Sequence, residues 1–329
     1  MPKLIDLPGR QGRIADAYTE RAVAMGTRAL AIISKTAVAR ALANGGRIPD
    51  RFFNDVELSK LINILAAVIG TADLLGRARV RQNWTATLAA HGELPPLTEA
   101  QAVRLNTLIQ SWLVEEDRKP GVPEPMLPTD ALAYFRSLVP TLGIDPMRWG
   151  LDLRRRVFTL AATTDLHLAG RVQALIAERV ESGQFGTRRL DTGGFVEAPA
   201  QAIQDVLEAA GVTAKNPQYA EMIVRTNTID TYNQAATAEL QHPDVISTFP
   251  VIEYSNPVDE RSRPTHAEKN GKYYPSTVPF VQIRGTGIED AANCRCTFIS
   301  VSKWQWAELK AGGARIADGY PDVPSRLAA

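Results

Sequence analysis

Residues 251–275 read VIEYSNPVDERSRPTHAEKNGKYYP, and residues 293–301 read NCRCTFISV. Pro257, Pro264 and Pro275, together with the Asn270-Gly271 pair, break the first stretch too often for a helix. Proline lacks the amide proton a helix needs, and Asn-Gly favours a tight turn. What remains between the breaks is short and β-prone: 251–254, 272–274, 280–283 and 296–301. These runs predict a small sheet closed by loops, beginning after His242.

Upstream, the hydrophobic period is helical. Ile14, Tyr18, Met25 and Ile32 recur near helical spacing over 14–42, and NGGRIPD at 44–50 ends that run with a glycine pair and Pro49. A second helix is expected over 56–90, where Leu58, Leu61, Leu65, Val68 and Leu75 form a wide stripe and the end carries Arg77, Arg79 and Arg81. HGELPPL breaks it, and a third helix is expected over 98–116. KPGVPEPMLP at 119–128 holds four prolines and reads as a linker or loop. Thr129 and Asp130 look like N-cap residues, a further helix covers 151–181, the glycine-rich ESGQFGTRRLDTGGF follows at 181–195, and helices are expected over 198–210 and 217–240.

The fold class is therefore α+β: a mainly helical N-terminal region with a small C-terminal α+β domain containing a short sheet. The expected divisions are a helical region (1–118), the Pro-rich segment (119–128), a helical middle region (129–216), the α+β domain (217–302) and a C-terminal tail (303–329). The leucine stripe at Leu58, Leu61 and Leu65 exceeds what one short sheet can cover, so residues 1–118 are expected to offer it to a partner, and 217–302 to stand as a module by itself.

Composition excludes several classes. The chain has 329 residues with 37 Lys+Arg against 36 Asp+Glu, so no net field draws it to nucleic acid or a membrane surface. Two cysteines exclude a disulfide framework. MPKLIDLPGR lacks the apolar core of a signal peptide, and the longest apolar run, 64–69, is short of the ~20 residues a bilayer span needs, so no membrane span is expected.

The sequence carries no P-loop, no HExxH and no G-x-S-x-G elbow, and Arg284-Gly285-Thr286-Gly287 lacks the third glycine and the helix of a dinucleotide site. No catalytic residues are assigned. Of the four histidines, His91, His167 and His242 read as caps or satisfied structural groups. His266 differs because of its neighbours. Cys294 and Cys296, two apart, could turn both thiols to one spot with Arg295 on the other face, and His266 would be a third zinc ligand, with Asp259 or water completing a tetrahedron. The simpler reading needs no cofactor: two small buried thiols pack the sheet, and His266 bonds a backbone carbonyl. Asp259, Arg261 and Arg263 read as a carboxylate and guanidinium groups pinning a loop. Arg154 to Arg156 and Arg188-Arg189 read as solvated faces, with contact to DNA or an acidic partner surface as the alternative. Trp304 and Trp306 are expected to cover the sheet, or else to anchor a partner.

YSNPVDERSRPTHAEKNGKYYP followed by NCRCT resembles the signature of the phage Mu F-like minor head proteins, the phage head-morphogenesis family. The resemblance rests on Asp259, Arg261, Arg263, Pro264, His266, Gly271, Asn293, Cys294, Arg295 and Cys296. Weaker likenesses are IVRTNTIDTYNQAA (223–236), RRRVFTLAATTD (154–165), VESGQF (180–185) and TADLLGRARV (71–80), so that the resemblance spans about 56–301. Many relatives place a histidine just before the CRC, where this chain has IEDAA. The resemblance implies a structural virion protein of a tailed phage or prophage and not an enzyme. It would be assembled in the host cytoplasm and located in the capsid interior or at the portal vertex. Its implied partners are portal protein and major capsid or scaffold protein, with non-specific contact to packaged DNA. The rival readings are a small metal-dependent hydrolase on His266, Cys294 and Cys296 with Glu268 or Asp259 as base, and a toxin-delivery module. For the latter, fewer than ~30 residues follow Val301, against the ~50 a catalytic domain needs.

Overall fold

The computed structural model describes residues 7–44, 47–48, 51–93, 98–101, 103, 140, 144–182, 200–213, 215–324 and 327. Most of the helix expected over 98–116, the Pro-rich 119–128 segment, the caps at Thr129 and Asp130 and the Arg188-Arg189 loop lie outside the described residues.

Five helices form the larger part: α1 (Leu7–Ala43), α2 (Asp55–Ala90), α3 (Pro146–Glu181), α4 (Ala200–Ala210) and α5 (Gln218–Leu240). The start of α2 is written in its sequence. Asn54 Oδ1 accepts from Glu57 N at 2.9 Å and Glu57 Oε2 accepts from Asn54 N at 2.9 Å, a reciprocal cap that satisfies two helix-end donors. The same Glu57 receives Arg40 Nη1 from the end of α1 at 2.8 Å, and Arg40 Nη2 donates to Phe52 O at 2.6 Å, so the α1–α2 turn is braced on both sides. Asp165 on α3 accepts from Phe53 N at 2.7 Å.

One face of α3 repeats Trp149, Leu153, Val157, Ala161, Leu168, Val172 and Ile176, all buried, while Arg154, Arg155 and Arg156 are exposed on the other. His167 is exposed as well, which corrects its reading as a packed or capping histidine. Two glycines allow close helix packing. A Cβ on Gly76 would stand 2.3 Å from Tyr232 O on α5, and one on Gly26 would stand 2.5 Å from Val224 Cγ2.

The leucine stripe expected to meet a partner is core. Leu61 and Leu65 are each 3% exposed, with α1, α3 and α5 contributing to the same apolar cluster. Five helices cover what one short sheet could not. Thr19–Ala43 and Asp55–Ala90 are each long and apolar enough to cross a membrane, although no single uninterrupted run in them is long. Most of the second is buried within the protein, and it holds the buried polar residues Asp73, Arg79 and Asn83.

After α5 come α6 (Pro243–Ile246), β1 (Val251–Ser255), α7 (Pro264–Ala267), β2 (Tyr273–Pro275), α8 (Phe280–Arg284), α9 (Ile288–Ala291), β3 (Thr297–Val301) and α10 (Lys303–Ala311). The sheet is antiparallel in the order β2-β1-β3, with Ile252 opposite Tyr274 and Ser300, and Tyr254 opposite Phe298. The run at 280–283, expected as strand, is the helix α8. Pro279 opens it, and the Lys269 ammonium donates to the carbonyls of Ile283 and Arg284 at 2.9 Å each, closing its end. The residues expected as a C-terminal tail include α10, whose Ser302 and Gln305 form a second reciprocal cap. Its Trp306 packs with Val251, Val301 and Ile316 on one face of the sheet, so the strand ends before the tryptophans and the helix does the covering.

Besides the small cluster around Trp306, the described residues form two larger apolar cores, and α2 and α5 run through both. Their first parts lie among the helices, while Val80, Trp84 and Leu88 at the end of α2, with Ala236 and Leu240 of α5, pack with Ile252, Tyr254, Phe280 and Phe298 against the other face of the sheet. Packing is therefore continuous across residue 217.

Candidate metal centre

Three segments bring the signature residues together. Pro264 supplies the first turn of α7, where proline's missing amide costs nothing, and two positions later His266 turns into the core at 1% exposure. Gly271 follows at φ +73°, and its N–H donates to Tyr254 O at 2.9 Å, returning the chain to β1. Asn293, also in the left-handed region at φ +54°, is held by Thr226 of α5, which accepts from its N–H at 3.0 Å. That bend throws Cys294 inward, and Cys296 follows just before β3, at 2% and 1% exposure.

His266 Nδ1 lies 3.3 Å from Cys296 Sγ and 3.7 Å from Cys294 Sγ. His266 Nε2 lies 3.2 Å from Asp290 Oδ1 on α9. The histidine therefore bonds a carboxylate and faces two sulfurs, correcting the expectation that it serves a backbone carbonyl. With Asp290 accepting from Nε2–H, the lone pair of Nδ1 points at the thiols. Cys294 Sγ receives Cys296 N–H at 3.4 Å, and Cys296 Sγ receives Asn256 Nδ2–H at 3.1 Å. Asn256 is itself fixed, its Oδ1 accepting from Val258 N at 2.7 Å and Ser262 Oγ at 2.8 Å. The Tyr254 hydroxyl is buried with no hydrogen bond of good geometry, close enough to Cys296 to favour its thiolate.

Cys296 is the acidic member of the pair. The Cys294 thiol donating to it, helped by the Tyr254 hydroxyl and the Asn256 amide, pulls it below the ordinary thiol value against the opposing effect of burial. Cys294 is pushed up, first by that same hydrogen bond and then by burial.

The charged part of the signature forms a separate, outer layer. Asp259 pairs with Arg295, and this bond lowers the Asp259 carboxyl to about 2. Arg263 reaches Ala292 O, while Arg261 contributes its backbone N–H to Asp259 Oδ1 at 3.0 Å. The loop is pinned as expected, but the arginine facing Asp259 is Arg295, and Asp259 is not part of the cluster. Glu268, weighed as a base, is exposed. His91 ends α2 and stacks on Trp304 with centroids 3.8 Å apart, and His242 caps α6 through Nδ1.

Four contributors escaped the sequence reading: Asp290, Asn256, Tyr254 and Asn233. Asn233 Nδ2 donates to Cys296 O at 2.9 Å and its Oδ1 accepts from Thr297 Oγ1 at 2.9 Å, so α5 holds the CRCT bend at two points. Asp290 had a usable signal, since it and Glu289 are the two carboxylates in the IEDAA stretch just before Asn293.

No curated protein and no solved structure matches the chain. The likenesses noted at 71–80, 154–165 and 180–185 fall outside the family match, which covers a single stretch. Residues 186–299, which contain the whole signature and every member of the His266 cluster, are similar to the family described as Phage Mu protein F like protein.

Proposed function

We propose that this chain is a minor capsid protein of a tailed phage or prophage, acting in head assembly near the portal, with DNA packaging or ejection as the step it serves. The observation that carries this reading is the use to which the signature is put: its polar residues brace one another and the α5 helix. Asp259 holds Arg295, Arg263 holds the carbonyl of Ala292, and Thr226 and Asn233 hold the CRCT bend. A substrate would have to reach groups that are 1–2% exposed, which argues for architecture over hydrolysis. The exposed guanidinium groups of Arg154, Arg155 and Arg156 form a basic helix face suited to phosphate or to an acidic partner.

The test is deletion of the gene in its phage. Heads should form poorly or lack DNA, the protein should be absent from those particles and present in wild-type virions by mass spectrometry, and portal protein should co-purify with it from infected cells. Infectious particles at wild-type yield without the protein would overturn the reading.

A further inference from the structure

We propose that His266 Nδ1, Cys294 Sγ and Cys296 Sγ bind a single zinc ion that staples α7 to the bend before β3. Among the described residues these three ligand atoms lie within 4.8 Å of one another, and all three residues are buried. A tetrahedral zinc with Zn–S about 2.3 Å and Zn–N about 2.0 Å requires nitrogen and sulfur to stand about 3.5 Å apart. The two observed separations, 3.3 and 3.7 Å, bracket that value. The donors are already aimed.

The surroundings are those of a coordinated histidine and thiolates. Asp290 on Nε2 orients the ring and is the kind of carboxylate partner that metal-binding histidines usually have. Each sulfur accepts one N–H, Cys294 from the backbone of Cys296 and Cys296 from Asn256, which suits anionic sulfur better than a neutral thiol. Two thiolates, one neutral imidazole and a divalent cation sum to zero charge, and that is the state a site this deeply buried favours. The fourth corner is an oxygen position. The Tyr254 hydroxyl is buried beside Cys296 and lacks a well-formed hydrogen bond, so it or an enclosed water fills it.

The test uses the full chain, untagged and with reduced thiols. Elemental analysis after desalting should give one equivalent of zinc. Replacing zinc with cobalt(II) should produce the visible bands of a tetrahedral ion and a thiolate charge-transfer band, which should lose roughly half its intensity in Cys294→Ser and in Cys296→Ser. Asp290→Asn changes a partly exposed residue and is expected to fold. It should keep the cobalt spectrum while weakening affinity by about 10–100-fold. A reduced, folded chain that holds no stoichiometric zinc and gives no thiolate band with cobalt(II) would overturn the proposal, as would metal binding unchanged in all three variants.

Discussion

The two larger cores of this molecule are held together in different ways. The helical core is close-packed apolar surface, with Leu61, Leu65, Leu74, Val157 and Leu168 filling it and glycines at the tightest crossings. The core under the small sheet is shallower and depends on polar side chains to shape its loops: Asn256, Asn233, Lys269, Arg263 and the His266 cluster each fix a piece of irregular backbone. Long helices satisfy their own backbone groups and need only a partner face. Loops cannot, so their carbonyls and amides must be met by side chains from elsewhere. The contrast fits the placement of the motif residues from Asp259 to Cys296 in the second region, where particular functional groups, and not merely bulk, define the structure.

The regions are nevertheless coupled, and the coupling can be tested at its strongest point first. A fragment beginning at residue 217 lacks Val80, Trp84 and Leu88, and it also lacks Arg79, whose guanidinium donates to Tyr232 Oη at 3.0 Å and Thr297 Oγ1 at 3.3 Å and also reaches Phe298 O. Such a fragment should show no cooperative thermal transition, whereas the full chain should melt with both regions in step. A fragment melting at the full chain's temperature would show the small domain to be independent.

The packing difference predicts a smaller, graded effect. Gly76→Ala drives a methyl group onto the backbone oxygen of Tyr232, which cannot move without separating α2 from α5, and should cost about 3 kcal/mol in urea unfolding. Gly26→Ala meets the buried side chain of Val224, whose γ-methyls yield more readily than a helix backbone oxygen, and should cost less, about 1–2 kcal/mol. Equal costs would mean that the α2–α5 crossing is not the rigid seam described above.

The smallest effect concerns pH. Arg225 of α5 is buried and bonds Glu20 of α1 at 2.7 Å, and this hydrogen bond lowers the Glu20 carboxyl, with Arg261 and Arg295 of the signature loops adding to it. A depressed carboxylate contributes stability that is present above its unfolded value, about 4.3, and lost as pH falls through the folded one. Glu20 is more than half exposed, so the contribution is below about 1 kcal/mol. Glu20→Gln should slightly lower stability at pH 7 and flatten the decline below pH 5. An unchanged acid limb in the variant would remove this pair from the account.

Much of the architecture was legible locally. The sequence predicted α2, α4 and α5 to within two residues and the ends but not the starts of α1 and α3, which begin earlier at Leu7 and Pro146; Asn54 and Glu57 announce the start of α2, and the turn-dense sequence after His242 marked the sheet. The signature singled out His266, Cys294 and Cys296 as a group. Where prediction failed, long-range packing was the cause. Phe280 to Ile283 have strand-forming side chains, yet Pro279 and the Lys269 cap make them helical. The leucines of α2 gave no sign of which surface would cover them.

By itself the sequence determined which segments are helical, where the sheet lies and which residues carry the family signature, because periodicity, capping and proline placement act over a few neighbouring residues. Only the tertiary structure decided that the leucine stripe is core, that Arg295 and not Arg261 meets Asp259, and that Asp290 stands behind His266. Each of these joins residues 24 or more positions apart or a face to its cover, and such pairings are set by how whole helices and loops pack.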